Sequence, residues 1–238
     1  MKKMTQEEFN LLPCDEYGIK YCPGNTDYSE IQDFGNGVIF GERCNFGVWC
    51  RFGRGCSFGD WCSFGVDCSF IGSCSFGKQC SFDLGCGFGE RCNFGLGCSF
   101  GMDCGFSELC SFDERCKFGE ECKFGKWCRF GKWCNFDKEC SFGKQCSFGE
   151  DCDFKSSTKF EKGRLTNATY IAVDRIGSKQ RKTYFFRADE GFFVRAGCWF
   201  GTFTEFEKRV KEVHGGTKHE RDYLAALELA KTMLDYAE

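Results

Sequence analysis

Nineteen cysteines stand at a fixed spacing of six residues from Cys44 to Cys152, and they are the side chains best suited to chemistry in this chain. Thiolates bind soft metals, so such a series could hold Cu(I), Zn or iron–sulfur clusters. Two features weigh against ligation. The spacing Cys-x5-Cys lacks the Cys-x2-Cys knuckle of structural zinc sites. Each Cys also lies two residues before a Phe, and apolar surroundings raise a thiol's pKa. Cysteine as a small inward filler that leaves room for Phe is therefore preferred, with thiolate metal binding as the alternative. No His occurs between residues 34 and 160, so that stretch lacks the usual general base. His214 and His219 flank a helix break and read as capping or surface residues. Cys14 and Cys22 form only an isolated Cys-x7-Cys pair.

The elements that position these residues follow from a second repeat. Phe recurs every sixth residue from Phe34 to Phe160, giving the unit Cys-x-Phe-Gly-x-x, as in Cys62-Ser63-Phe64-Gly65. Side chains two apart on a strand share a face, so Cys and Phe point inward and the residue between them outward. Gly, or Asp at Asp83, Asp113 and Asp137, follows most Phe residues, and a left-handed corner is expected there. Each hexad is then a three-residue strand plus a corner. Stacked units of this kind form a solenoid whose terminal segments act as caps. Residues 1–33 are expected to be the N-terminal cap, opened by the capping box Thr5-Gln6-Glu7-Glu8. Residues 34–160 form the repeat array, and 161–238 a small α+β unit of three strands (169–176, 181–187 and 192–195) and two helices. Thr204-Glu205-Phe206-Glu207 and Thr217-Lys218-His219-Glu220 are the expected helix starts, and Cys198-Trp199-Phe200 a buried junction.

The hexads resemble those of left-handed parallel β-helix proteins, whose unit pairs a large apolar residue with a following Gly and a small residue four positions on. Phe76, Gly77 and Cys80 fill those places. The resemblance implies three hexads per triangular coil, hence about seven coils, with left-handed winding. Phe at every apolar position departs from the family's aliphatic choice and demands an unusually filled triangle. On this coil Cys62, Phe64, Cys80, Phe82, Cys98, Phe100, Cys116 and Phe118 form structural ladders. The metal alternative would use Cys44, Cys62, Cys80, Cys98, Cys116, Cys134 and Cys152, stacked ~4.8 Å apart on one face. That spacing is too long for disulfides and close to the ~4.6 Å that one metal could bridge. The best-known enzymes of this type are acyltransferases, which carry a catalytic His and a protruding loop. Residues 34–160 contain no His and their unbroken phase leaves no room for a loop, so no catalytic residues are assigned.

Partner-facing residues are sought at the corners. Trp49, Trp61, Trp127 and Trp133 each precede a Cys and point away from the ladder. Trp61 and Trp133 are separated by a whole number of coils and so share one edge. Lys126-Trp127 and Lys132-Trp133 place a cation beside an aromatic ring, a pairing enriched at interfaces. Lys117, Lys123 and Arg129 are spaced by one hexad each, which sends them to three different faces rather than into a stripe along a nucleic acid. The formal net charge of −3 gives no drive toward nucleic acid or an anionic membrane. The N-terminal residues show no signal-peptide core and no apolar run reaches membrane-spanning length, so a cytoplasmic, reduced protein is expected. The tail from Ala196-Gly197-Cys198-Trp199-Phe200-Gly201 through Gly215-Gly216 to Leu229 resembles uncharacterised repeat proteins of gut bacteria and their phages, which implies no known activity. The expectation is a non-enzymatic, cofactor-free solenoid that binds itself or another protein.

Overall fold

The computed structural model describes the chain except residues 144, 145, 150, 151, 156, 157, 161, 162, 166–168, 178, 179, 198, 237 and 238. The hexads close into a parallel β-solenoid of about seven three-sided coils, and each strand of the array pairs with its counterparts one coil before and one coil after. Ser63 stands beside Ser81 and Ser81 beside Ser99, with Phe64, Phe82 and Phe100 in the same register. Two of its sheets have nine strands and the third has eight, among the described residues.

Phe fills the triangle by a herringbone. Within a face each ring stacks on the ring one coil away, as for Phe76 and Phe94, with centroids 4.8 Å apart and planes 2° apart. Between faces the rings meet edge to face, as for Phe76 and Phe82 at 5.0 Å and 88°. Both geometries suit the ring quadrupole, and stacking at the strand spacing needs no adjustment of the backbone. Each buried Phe contributes on the order of 2–3 kcal/mol, which supports strands that are mostly two residues long.

The corners correct one expectation. The left-handed residue is the one before Cys, not the Gly after Phe: Arg43, Trp49, Trp61, Asp67 and their successors have φ between 52° and 63° where they are not Gly. The Gly after Phe is needed for a different reason, close stacking of corners. A Cβ on Gly101 would lie 2.7 Å from the Leu84 nitrogen and 2.8 Å from the Asp83 carbonyl carbon. Asp83, Asp113 and Asp137, in the same position, turn their carboxylates onto the next backbone N–H, at 2.8 Å in each case.

At the N-terminal end α1 (Gln6–Leu11) carries the expected Thr5–Glu8 capping box. It lays Phe9 edge-on against Phe34 at 5.3 Å, closing the Phe column. The coils reach back into residues 1–33. Lys20–Cys22 and Thr26–Tyr28 are already solenoid strands, with Cys22 beside Phe40 and Tyr28 beside Phe46. Cys22 thus occupies a Phe position rather than lying outside the array. Lys2–Lys3 adds a short strand alongside Thr26 and Asp27.

At the other end Thr158–Phe160 keeps the coil register, and Gly163–Leu165 turns back antiparallel to it. The C-terminal unit has a four-stranded antiparallel sheet, one strand more than expected: Thr169–Ile176, Arg181–Ala188, Gly191–Ala196 and Trp199–Thr202. Trp199 and Phe200 begin the additional strand and are half-buried, while Cys198 lies outside the described residues. The following helices are α2 (Phe203–His214) and α3 (Lys218–Met233). Thr202, not Thr204, caps α2, and its hydroxyl and Glu205 form the reciprocal box; Thr217 caps α3 as expected.

Strand alternation divides the sheet's two faces. Phe185 and Val194 join α2 and α3 in one core, while Tyr184, Phe186 and Phe193 lie on the other face. That second face covers the end of the solenoid: the Tyr184 hydroxyl donates to the Cys152 carbonyl at 3.0 Å. The Arg195 guanidinium lies 4.4 Å from the Phe154 ring centre and 4.6 Å from that of Phe148, where the next rings of two Phe columns would stack. No described helix is long and apolar enough to cross a membrane.

Candidate functional site

The cysteine ladder is buried, with every described Cys from Cys44 to Cys152 at most 5% exposed. Cys62, Cys80, Cys98 and Cys116 occupy successive coils of one face beside Phe64, Phe82, Phe100 and Phe118, as the repeat predicts. The thiols have a further role that the sequence reading missed. Parallel pairing satisfies the Phe and Cys carbonyls through N–H groups of the next coil, as in Gly95 N to Phe76 O and Ser99 N to Cys80 O. The carbonyl after Phe meets a thiol instead. Cys98 donates to Gly77 O at 3.3 Å, Cys122 to Gly101 O at 3.3 Å and Cys134 to Asp113 O at 3.4 Å. The choice of Cys over Ala or Val was the available signal, since only Cys combines small apolar bulk with a weak donor.

Burial opposes ionisation of these groups, at the thiols whose neighbours raise them and at those whose neighbours lower them alike. Burial pushes the Cys22 thiol up to about 12. In the ladder, the contacts between successive thiols raise Cys80 and Cys116 and lower their neighbours Cys62, Cys98 and Cys134, while burial raises all five. Ionising one thiol would place charge in a column of aromatic rings and sulfur atoms. Among the described residues no group of three or more His, Cys, Asp or Glu is arranged to hold a metal ion. Cys14 is exposed and is not bonded to the buried Cys22.

Trp49, Trp61, Trp127 and Trp133 stand on the corners and are between 41% and 61% exposed. All four are left-handed residues, with φ between 55° and 58°. Trp61 and Trp133 share an edge, whereas Trp49 and Trp127 belong to the other two. Each of the shared-edge indoles has a cation one coil below: Arg43 over Trp61 at 5.1 Å and Arg115 over Trp133 at 5.2 Å. These contacts are closer than those of Lys126 to Trp127 and Lys132 to Trp133, at 5.9 and 6.0 Å. Reading the sequence at the spacing of a full coil would have found them. Trp49 also donates to Asp67 at 3.3 Å, and Trp61 donates to Gln79. The indoles are therefore pinned in place while keeping an open face.

Lys117, Lys123 and Arg129 fall on three different sheets, as expected from their spacing. The solenoid faces carry small outward residues, Ser63, Ser81 and Ser99 on one and Ser69, Gly87 and Gly105 on another. A shallow trough of about 630 Å3 lies over Gly87 and Gly105, floored by Phe88 and Phe106. His214 and His219 meet each other and Tyr223 at the α2–α3 turn, with ring centres 5.9 Å apart between the two His and 5.6 Å from His214 to Tyr223.

No family model matches this chain, and neither does any curated protein or solved structure. What the structure shows is a parallel β-solenoid of stacked coils.

Proposed function

We propose that this chain is a non-enzymatic, rigid solenoid that works as a protein-binding or self-assembly module. The observation that carries this reading is the outer surface: flat faces of small residues bounded by edges on which indoles are held but left open. Aromatic groups pre-ordered in this way lose little entropy on docking, and flat faces permit close approach over a long footprint. The described troughs are shallow surface features, suited to docking side chains rather than enclosing a substrate. A cytoplasmic setting with reduced thiols fits the proposal, and a phage origin would rest only on the tail resemblance.

The thiolate metal reading is less favoured, because ladder thiols spend their protons on backbone carbonyls and sit among aromatic rings. Native mass spectrometry of protein isolated without chelator, with a thiol count after denaturation, tests both readings. A metal-free oligomer or complex with all 22 cysteines reduced is expected. Stoichiometric copper, zinc or iron that leaves on unfolding would overturn it.

A further inference from the structure

Building on the self-assembly reading, we propose that the Gly87 face is a homodimer interface in which a second copy packs antiparallel about a two-fold axis. The outward residues of this face include, in coil order, Asp33, Arg51, Ser69, Gly87, Gly105, Lys123 and Ser141, of which the first six form the proposed contact. An axis passing between Ser69 and Gly87 sets Asp33, paired with Arg51 at 3.2 Å in its own chain, opposite the other copy's Lys123, paired there with Asp103 at 2.9 Å, and sets Arg51 opposite Gly105. Arg51 then enters the trough, where Gly105 has no side chain to obstruct it.

Both rims agree with the same axis. On one, Arg54 meets Glu108, which stand at equivalent places after Arg51 and Gly105. On the other, the corner residues Val48, Val66, Leu84 and Met102 form an apolar row in successive coils, with Val48, Leu84 and Met102 exposed. The axis pairs Val48 with Met102 and Val66 with Leu84, so the row buries itself. Moving the axis half a coil toward the C-terminus, onto Gly87, would instead set Arg51 against Lys123. Moving it the other way, onto Ser69, would set Asp33 against Gly105 and lose the Asp33–Lys123 pair, so charge favours the axis between Ser69 and Gly87. One mismatch remains, Glu30 against Glu120, but each has a lysine in its own chain, Lys3 at 2.7 Å and Lys138 at 3.9 Å.

The footprint is sufficient. Six coils at ~4.8 Å each and a width of ~17 Å give about 500 Å2 per copy, hence about 1,000 Å2 in total, the lower bound for a specific interface. The four-residue strands of this face, Arg51–Arg54, Ser69–Gly72 and Gly87–Glu90, supply ~13 Å of that width and the Val48–Met102 corner row the rest.

Light scattering after gel filtration tests the dimer on the full chain. The expected mass is twice 27.1 kDa. Gly105→Tyr fills the trough at a position where a Cβ meets nothing within 4 Å, so it should leave the fold and its thermal midpoint intact. It should weaken association at least about tenfold. Arg54→Glu and Glu108→Arg should each weaken the dimer, and the double variant should restore it. A monomer at every concentration would overturn this interface together with self-assembly, leaving only a binding role for another protein. A dimer indifferent to all of these changes would overturn this interface alone and leave self-assembly standing on a different face.

Discussion

At the scale of single residues, the hexad assigns each position one physical task. The Gly after Phe makes room for the neighbouring coil, and Gly101→Ala should therefore cost about 2 kcal/mol or more. Gly105→Ala, on the open face, should be neutral or slightly stabilising, because only the unfolded chain loses freedom. Urea unfolding of the two variants checks the contrast. The Cys thiol satisfies a carbonyl that parallel pairing leaves over. Cys98→Ala should cost about 1–3 kcal/mol by orphaning Gly77 O, while Cys98→Ser, which keeps a donor, should recover part of the loss in the same titration. Inward Cys and Phe were legible from spacing alone. The thiol's partner was not, because it lies more than a full coil back along the chain and is brought close only by coil closure.

At the scale of elements, the open ends of the Phe columns decide what the caps must be. Phe9 of α1 closes one end. At the other, Arg195 is buried against Phe148, Phe154 and Tyr184, and its Nε and Nη1 have no hydrogen-bond partner among the described residues. Ring faces attract the guanidinium by ~2 kcal/mol or more, but desolvating an unpaired cation costs several. Arg195→Met should consequently be at least as stable as the parent, whereas Arg195→Ala should lose about 2 kcal/mol or more through the cavity it leaves. Chemical denaturation followed by far-UV circular dichroism distinguishes the two. The starts of α1 and α3 were readable from Thr5 and Thr217, whereas α2 begins at Thr202 and not at the expected Thr204. The fourth strand was missed because Trp199–Thr202 is short and runs directly into α2, so its alternation is brief.

At the scale of the whole molecule, a core lined with protonated thiols makes stability depend on pH. Burial raises Cys22 from an ordinary 9.0 to about 12. Its contribution is therefore complete below about pH 9 and is lost as pH rises toward 12, because the unfolded chain releases the proton first. Burial of the ladder thiols acts in the same direction, whichever of two touching thiols holds the proton between them. The urea midpoint should stay level near neutrality and fall above about pH 9. A midpoint that rises there would show that the thiols are already ionised in the native core.

The amino-acid sequence by itself determined the period, and with it the inward Cys and Phe, the stacked strands and the common edge of Trp61 and Trp133. A hexad repeat that never slips allows one register only, since a shift would turn Phe outward. Tertiary structure alone decided which corner residue is left-handed, where each thiol donates, that Arg43 and Arg115 serve the tryptophans, and how far the coils reach into the N-terminal segment. Each of these depends on a cap or on a neighbour a full coil or more away along the chain, and such separations become contacts only when the coil closes.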